Sequence, residues 1–242
     1  VNEAERAAGQ RDERVVEREQ REEKDDAEAN QTRSLIGLEL FSQDAEGGKA
    51  SLLVRWSSVN ESMASEQLIL VDAQDRELGV KEKMEAHVEG ALHRAFSVFI
   101  FDSEKRLLLQ QRARTKYHSG GLWSNTACGH PRPGESTLSA ARRRLREEMG
   151  FDCELREAFE FLYRAELDGA LIEHEYDHVL VGTYEGDPAP DPSEVEGWRW
   201  VTMDELRRGL SDEPQSYSYW LKVVVEGDHW RAFFDGDADR QV

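Results

Sequence analysis

The run from Thr137 to Met149 constrains this chain more than any other segment. Leu138, Ala141, Leu145 and Met149 recur at helical spacing on one face. Ser136 stands where an N-cap acceptor is needed, and Gly150 follows where a left-handed residue would close a helix. Arg143, Arg144, Glu147 and Glu148 fall towards its C-terminal end. Carboxylates gathered there can hold a divalent cation, since Mg²⁺ prefers oxygen ligands. For any single Glu a solvated, charged helix face is the ordinary meaning.

Around this helix the chain is unevenly composed. Residues 1 to 40 contain no aromatic, and Glu3 to Glu28 is dominated by Glu, Asp and Arg. Such a stretch cannot bury enough apolar surface to offset its ordering entropy, so residues 1 to 60 are expected to be a disordered or loosely helical acidic extension. Two short apolar runs between Leu35 and Trp56, around Gly47 and Gly48, are candidates for a hairpin. The span 61–235 carries nearly all the aromatics and is long enough for one catalytic domain, leaving 236–242 as a tail.

The formal net charge of -19 excludes a general nucleic-acid surface, which needs an excess of Lys and Arg. Any phosphate ligand must therefore be gripped locally. With seven Lys among 31 cations, the surface also suits concentrated salt, where screening weakens self-repulsion. Two cysteines, Cys128 and Cys153, are too few for a disulfide framework and fit a reducing cytoplasm. The N-terminus has no signal-peptide h-region, and no run of 18 apolar residues exists. The reading is a cytoplasmic protein without membrane or nucleic-acid partners, monomeric or weakly self-associating.

Strands are predicted over Gln67 to Asp72, Leu92 to Phe101 and Arg106 to Ala113, the last two pairing as a hairpin across Asp102 to Lys105. A loop is expected from Gly120 to His130. Beyond the helix come strands through Phe159 to Ala165, Leu171 to Tyr184 and Gly197 to Val201, then a short helix from Met203 to Leu210 and a terminal helix from Ser216 to Val225. The order implies an α/β sandwich on a mixed sheet. In the strand through Leu171, Glu173 and Glu175 are two apart, so both carboxylates leave on one face while His174 points away. That pairing makes metal ligation plausible, and a His/carboxylate mixture suits Zn²⁺, Mn²⁺ or Mg²⁺. A lone His, in contrast, is more often structural.

The segment Gly129-x5-Glu135-x7-Arg143-Arg144-Leu145-x-Glu147-Glu148-x-Gly150-Phe151 resembles the Nudix box at eight of nine positions. The resemblance narrows to type I isopentenyl diphosphate isomerases through Lys83-Met-Glu-Ala-His87, Leu92-His93-Arg-Ala-Phe-Ser, Trp123-Ser-Asn-Thr-Ala-Cys128-Gly129-His130-Pro131, Tyr163-Arg-Ala and Glu173-His-Glu175. It spans about Leu68 to Trp220 and leaves residues 1 to 60 unmatched. It implies a Nudix-like three-layer α/β/α sandwich with a mixed β-sheet, and the interconversion of isopentenyl and dimethylallyl diphosphate in isoprenoid biosynthesis.

By the same resemblance His87, His93, His130, Glu173 and Glu175 would hold one divalent ion (Mn²⁺, Zn²⁺ or Mg²⁺), and Glu148 a Mg²⁺ that bridges to the substrate diphosphate. Moving a double bond by one carbon adds one proton and removes another through a tertiary carbocation, so two proton-transfer groups must flank the substrate. The resemblance names Cys128 and Glu175, with Tyr163 assisting the carboxyl and Trp220 facing the cation. Lys83, Arg112, Lys116 and Arg144 match its diphosphate-contacting positions, Arg144 standing where a Nudix hydrolase has a Glu. His174 and His178 are read as structural or exposed, and Cys153 as a packing residue. The alternatives are a Nudix hydrolase of a nucleoside diphosphate derivative, which would want a carboxylate at position 144 and no role for Cys128, and a noncatalytic Nudix binding module.

Overall fold

A computed structural model describes residues 66–116, 118–167 and 170–235, together with two short strands nearer the N-terminus. The chain divides into two compact units, Val1–Ala64 and Ser65–Val242. In the first, β1 (Leu38–Glu39) pairs antiparallel with β2 (Arg55–Trp56), so the two apolar runs do form a ladder. The expected character of the rest of residues 1–60 and of 236–242 lies outside the described residues, as does the turn at 168–169.

The second unit is built on a nine-stranded sheet. Its strands are β3 (Gln67–Val71), β4 (Glu77–Glu82), β5 (His93–Phe101), β6 (Leu107–Arg112), β7 (Trp123–Ser124), β8 (Ala127–Gly129), β9 (Leu155–Glu166), β10 (Ile172–Thr183) and β11 (Val195–Val201). The main path runs β11-β6-β5-β10-β9. β5 and β10 are parallel, with Glu175 beside His93 and Val179 beside Ser97, whereas the other pairings are antiparallel, so the sheet is mixed.

Alternation along β5 and β10 sorts the two faces. Phe96, Val98, Ile100 and Leu180 lie against α2 (Thr137–Met149), which contributes Ala140, Ala141, Leu145 and Met149. Phe99, Phe101, Val179 and Val181 meet α3 (Met203–Asp212), α4 (Tyr219–Glu226) and α5 (Asp228–Asp235) through Leu206, Leu210, Leu221, Val224 and Trp230. Helices thus cover both faces, giving the expected three layers. The local signals of α2 are obeyed: Ser136 Oγ accepts from Ser139 N at 3.2 Å, and Gly150 closes the helix at φ 75°. A side chain at Gly150 would also bring its Cβ to 2.2 Å from the Ala189 carbonyl, so glycine is needed there twice over.

Three expectations need correction. The hairpin of β5 and β6 is paired only at Phe101 and Leu107 before the strands splay. The gap is filled by the segment read as loop, which supplies β7 to β6 and β8 to β5. Thr126 spans the split, its Oγ1 accepting from Ile100 N at 3.0 Å and donating to Leu108 O at 2.7 Å. Side-chain hydrogen bonds do the work of a missing ladder, and no hydrophobic alternation announces that. Finally, the terminal helix begins later than expected, at Tyr219 after a 3-10 turn at Pro214–Ser216, and is not the last. Gly227 separates it from α5, whose Trp230 packs 4.9 Å from Phe99 and 4.2 Å from Phe234.

Candidate active site

The polar end of the sheet face under α4 is where the candidate residues converge. Along β10 that face reads Glu173, Glu175 and Asp177 before turning apolar at Val179, and all three carboxyl groups are buried. β5 adds His93 and Ser97. A short helix, α1 (Lys83–Glu89), brings His87 over them; Glu82 caps its start by accepting from Glu85 N at 2.9 Å, and Gly90 ends it at φ 64°. The inserted β8 leads into His130. His87, His93, His130 and Glu173 place one ligand atom each within 4.8 Å of one another. Glu175 joins them, its Oε1 lying 3.1 Å from His130 Nε2 and 3.6 Å from His93 Nε2.

The hydrogen bonds of this group fit a metal ion. His87 and His93 each point Nδ1 at a backbone carbonyl, Lys83 O at 2.6 Å and Ala91 O at 2.8 Å. Donation there leaves Nε2 of each neutral ring as a bare lone pair. Yet those Nε2 atoms face carboxylate oxygens, Glu173 Oε2 at 3.4 Å and Glu175 Oε1 at 3.6 Å. Lone pair against carboxylate is repulsive unless a cation lies between. His93 Nε2 and Glu173 Oε2 have no hydrogen-bond partner among the described residues. Burial pushes the His93 imidazole below its ordinary value, favouring the neutral form that a metal needs.

The carboxyls are differentiated. Burial works against Glu175 as an anion, but His130 and His93 hold it well below the usual carboxylate range. Burial and the Glu175 charge push Glu173 up. His130 is raised to about 9: burial opposes its charge, and the contacts with Glu175 and Glu66 overcome that. Tyr163, opposite Glu175 in the β9–β10 register, donates its hydroxyl to Glu175 Oε2 at 2.6 Å.

Cys128 stands opposite Ser97 in the β5–β8 ladder and therefore shares this face. It packs against the cluster of Tyr163, Ala165 and Trp220. Burial, with help from Glu148 and Glu175, pushes its thiol up to about 12 against the pull of Arg112 and Arg144. Trp220 is buried but not merely a core aromatic: its Nε1 donates to Ser124 Oγ at 2.9 Å and Asn125 Oδ1 at 3.0 Å, which fixes the orientation of the indole.

Four cations were expected to meet a diphosphate. Arg112 reaches deepest, with its guanidinium 5.1 Å from the Trp220 ring centre and Nη1 4.0 Å from Cys128 Sγ. Its Nε is buried without a hydrogen-bond partner among the described residues. Arg144 and Lys116 converge on Glu194, and Lys83 pairs with Glu66 at 2.7 Å. Arg144 also holds Glu148, from Nε at 3.0 Å and Nη2 at 2.5 Å, while Gln110 Nε2 donates to the other Glu148 oxygen at 2.6 Å. Glu148 thus stands apart from the His/Glu group, in a protein-only network.

His178 and His174 contact groups other than the His87, His93, His130 and Glu173 set, His178 lying with Glu157 and Glu160 in a second His/carboxylate group. His178 lies between Asp75 and Glu157 at 3.1 Å each, and His174 Nδ1 contacts Gly90 O at 2.9 Å. Cys153 packs beside the α2 cluster. The sequence reading missed Gln110, His118, Asp177 and Glu194. Asp177 was findable, being next in the alternation after Glu173 and Glu175; Gln110 ends the apolar run of β6, and His118 and Glu194 lie on connections without periodicity.

The NUDIX domain family model matches residues 91–222. The chain is 58% identical over 161 residues to "Isopentenyl-diphosphate Delta-isomerase 1" of Aromatoleum aromaticum, covering 66% of this chain and 91% of that one. It is 57% identical to "Isopentenyl-diphosphate Delta-isomerase" of Burkholderia multivorans (66% and 92% covered) and 52% identical to that of Serratia proteamaculans (66% and 90%). Among solved structures it resembles a protein of Deinococcus radiodurans with a TM-score of 0.56 at 19% identity, covering 66% of this chain and 98% of that one, a likeness of fold alone.

Proposed function

We propose, from the premise that this chain belongs to the isopentenyl-diphosphate Delta-isomerase family of NUDIX-domain proteins, a division of labour among its own residues. The enzyme interconverts isopentenyl and dimethylallyl diphosphate, a step of isoprenoid biosynthesis. Cys128 and Glu175 are the two proton-transfer groups. At rest the thiol keeps its proton and Glu175 is a carboxylate, so the pocket offers one donor and one acceptor. In the forward direction the thiol gives its proton to the alkene and Glu175 takes one from the allylic carbon, and proton exchange with solvent after product leaves returns both groups to their resting states. Tyr163 holds the Glu175 carboxyl and can carry its proton. Trp220 presents a π-face to the tertiary carbocation, and the buried surroundings keep water from capturing it.

His87, His93, His130, Glu173 and Glu175 would hold one divalent ion, Mn²⁺, Zn²⁺ or Mg²⁺, which when bound orients Glu175 and offsets the charge of the paired carboxylates. Glu148 would take Mg²⁺ together with substrate oxygens, releasing Arg144 to the diphosphate. Arg112, Lys116 and Lys83 complete the anion grip; exchanging Glu194 and Glu66 for a diphosphate suits a site built in an otherwise acidic protein. Among the described residues no helix is long and apolar enough to cross a membrane, and we place the enzyme in the cytoplasm with a small-molecule diphosphate as its partner.

The observation that carries the reading is the sharing of one buried sheet face by Cys128 and the Tyr163–Glu175 pair. A hydrolase is disfavoured because Arg144 stands where the Nudix box carries a Glu, and a binding module because Cys128 and Glu175 share one sheet face. Purified protein incubated with isopentenyl diphosphate and Mg²⁺ should yield acid-labile allylic product without releasing phosphate. Phosphate release without allylic product, across varied metal and salt, would overturn the assignment.

A further inference from the structure

A buried histidine that none of these roles uses lies beside Glu173 and Trp220. His118 is 9% exposed, on the connection between β6 and β7. Its Nε2 lies 3.4 Å from Glu173 Oε1, while His87 Nε2 lies 3.4 Å from the other oxygen of the same carboxyl. Glu173 therefore lies between two imidazoles. The ring of His118 also meets Trp220 edge-to-face, with centroids 5.8 Å apart and planes at 87°. Arg112 Nη2 donates to the His118 carbonyl at 3.4 Å, which ties this connection to the same guanidinium that reaches Cys128 and Trp220.

We infer that His118 is a positioning residue for the isomerisation, setting the Glu173 carboxyl with its N–H and the Trp220 indole with its ring edge. The inference rests on the proposed roles of Glu173 and Trp220 and adds the element that joins them. Both groups need orientation for different reasons. A carboxylate ligand with one oxygen donated to by a neighbour presents the other to the metal at a fixed angle, and losing such a partner typically weakens metal binding about 10- to 100-fold. An indole stabilises a cation only when its face is turned to the charge, and an edge-to-face neighbour restricts that ring.

The two functions separate on substitution. His118→Phe keeps a ring edge for Trp220 and removes the donor to Glu173. His118→Gln keeps an N–H donor and removes the ring. Mn²⁺ and Zn²⁺ affinities are measured on metal-free, substrate-free full-length protein by competition with a chelator, and kcat and KM at saturating metal, with circular dichroism as the check of fold. The expected pattern is crossed. His118→Phe loses about 10- to 100-fold in metal affinity and recovers most of its kcat at saturating metal. His118→Gln binds metal within about threefold of the parent but has kcat lowered about three- to tenfold with KM unchanged. A His118→Phe protein that binds both metals like the parent would overturn the inference. So would equal losses in both variants, the signature of a loop that merely packs. The metal measurement needs no catalysis, so its failure is distinct from failure of the proton-transfer roles, which would appear as an active Cys128→Ala enzyme.

Discussion

Tyr163 and Glu175 face each other across β9 and β10, and the phenol hydroxyl donates to Glu175 Oε2 at 2.6 Å while His130 approaches Oε1 at 3.1 Å. The two oxygens of one carboxyl are thus engaged separately, Oε2 by the phenol and Oε1 by the imidazole. Removing the phenol oxygen leaves the ring packing intact, so Tyr163→Phe should fold normally and lower kcat about 10²-fold, with KM for isopentenyl diphosphate little changed. Steady-state rates of allylic product formation check this; parental kcat would remove Tyr163 from the mechanism.

Asp177 carries the strongest stability prediction. It is fully buried, Ser97 Oγ donates to its Oδ2 at 2.8 Å, and Oδ1 has no hydrogen-bond partner among the described residues. Burial, then the Glu175 charge, pushes its carboxyl well above the ordinary range. The sign follows from linkage: the unfolded state releases this proton more readily, so the native state loses stability as pH rises above the unfolded value of about 3.9. Asp177→Asn keeps an acceptor for Ser97 and cannot ionise. In metal-free protein its melting temperature should match the parent near pH 4 and exceed it increasingly towards neutrality. A difference that stays constant with pH would show that Asp177 does not resist ionisation.

Much of this site was legible because two periodicities expose it. Position counting alone puts Glu173 and Glu175 on one strand face, and the capped helix after Ser136 fixes where Arg144 and Glu148 stand. What eluded the sequence was the splitting of β5 from β6, since Thr126 and Asn125 hold the gap through side-chain hydrogen bonds that leave no repeat. That insertion carries Cys128 onto the sheet face. The cations were recognised as residue types, but their carboxylate companions Glu194 and Glu66 were not, because ion pairs between residues 17, 50 and 78 positions apart have no local signature. The last helix was missed although Trp230, Phe233 and Phe234 recur at helical spacing.

Fifty carboxylates against 31 cations should make stability depend on salt. At low ionic strength the charges repel over a Debye length of about 10 Å or more, and molar salt shortens that to about 3 Å. Melting temperature is expected to rise from dilute to molar KCl. A flat or falling curve would remove the argument for a high-salt setting and leave the chemistry untouched.

The 161 residues shared with the Aromatoleum aromaticum relative cover 91% of that protein and only 66% of this chain. The match therefore leaves about a third of this chain without a counterpart, and the acidic residues 1–60 are the part expected to be dispensable. We propose that deleting them leaves soluble, folded protein with kcat/KM within about threefold of the parent. Aggregation or loss of the circular dichroism spectrum on truncation would place the boundary elsewhere.

The central claim is that the Cys128 thiol exchanges a proton with a substrate carbon, and one comparison addresses it directly. Cys128→Ala and Glu148→Gln are assayed together for allylic product and phosphate release across a Mg²⁺ titration, each shown to be folded by circular dichroism. Cys128→Ala should lose at least about 10²-fold in isomerisation at every Mg²⁺ concentration, because alanine has no proton to exchange with the substrate. Glu148→Gln should instead show weakened Mg²⁺ and diphosphate binding, partly restored as Mg²⁺ rises. A folded Cys128→Ala enzyme that still forms dimethylallyl diphosphate near the parental rate would contradict the account.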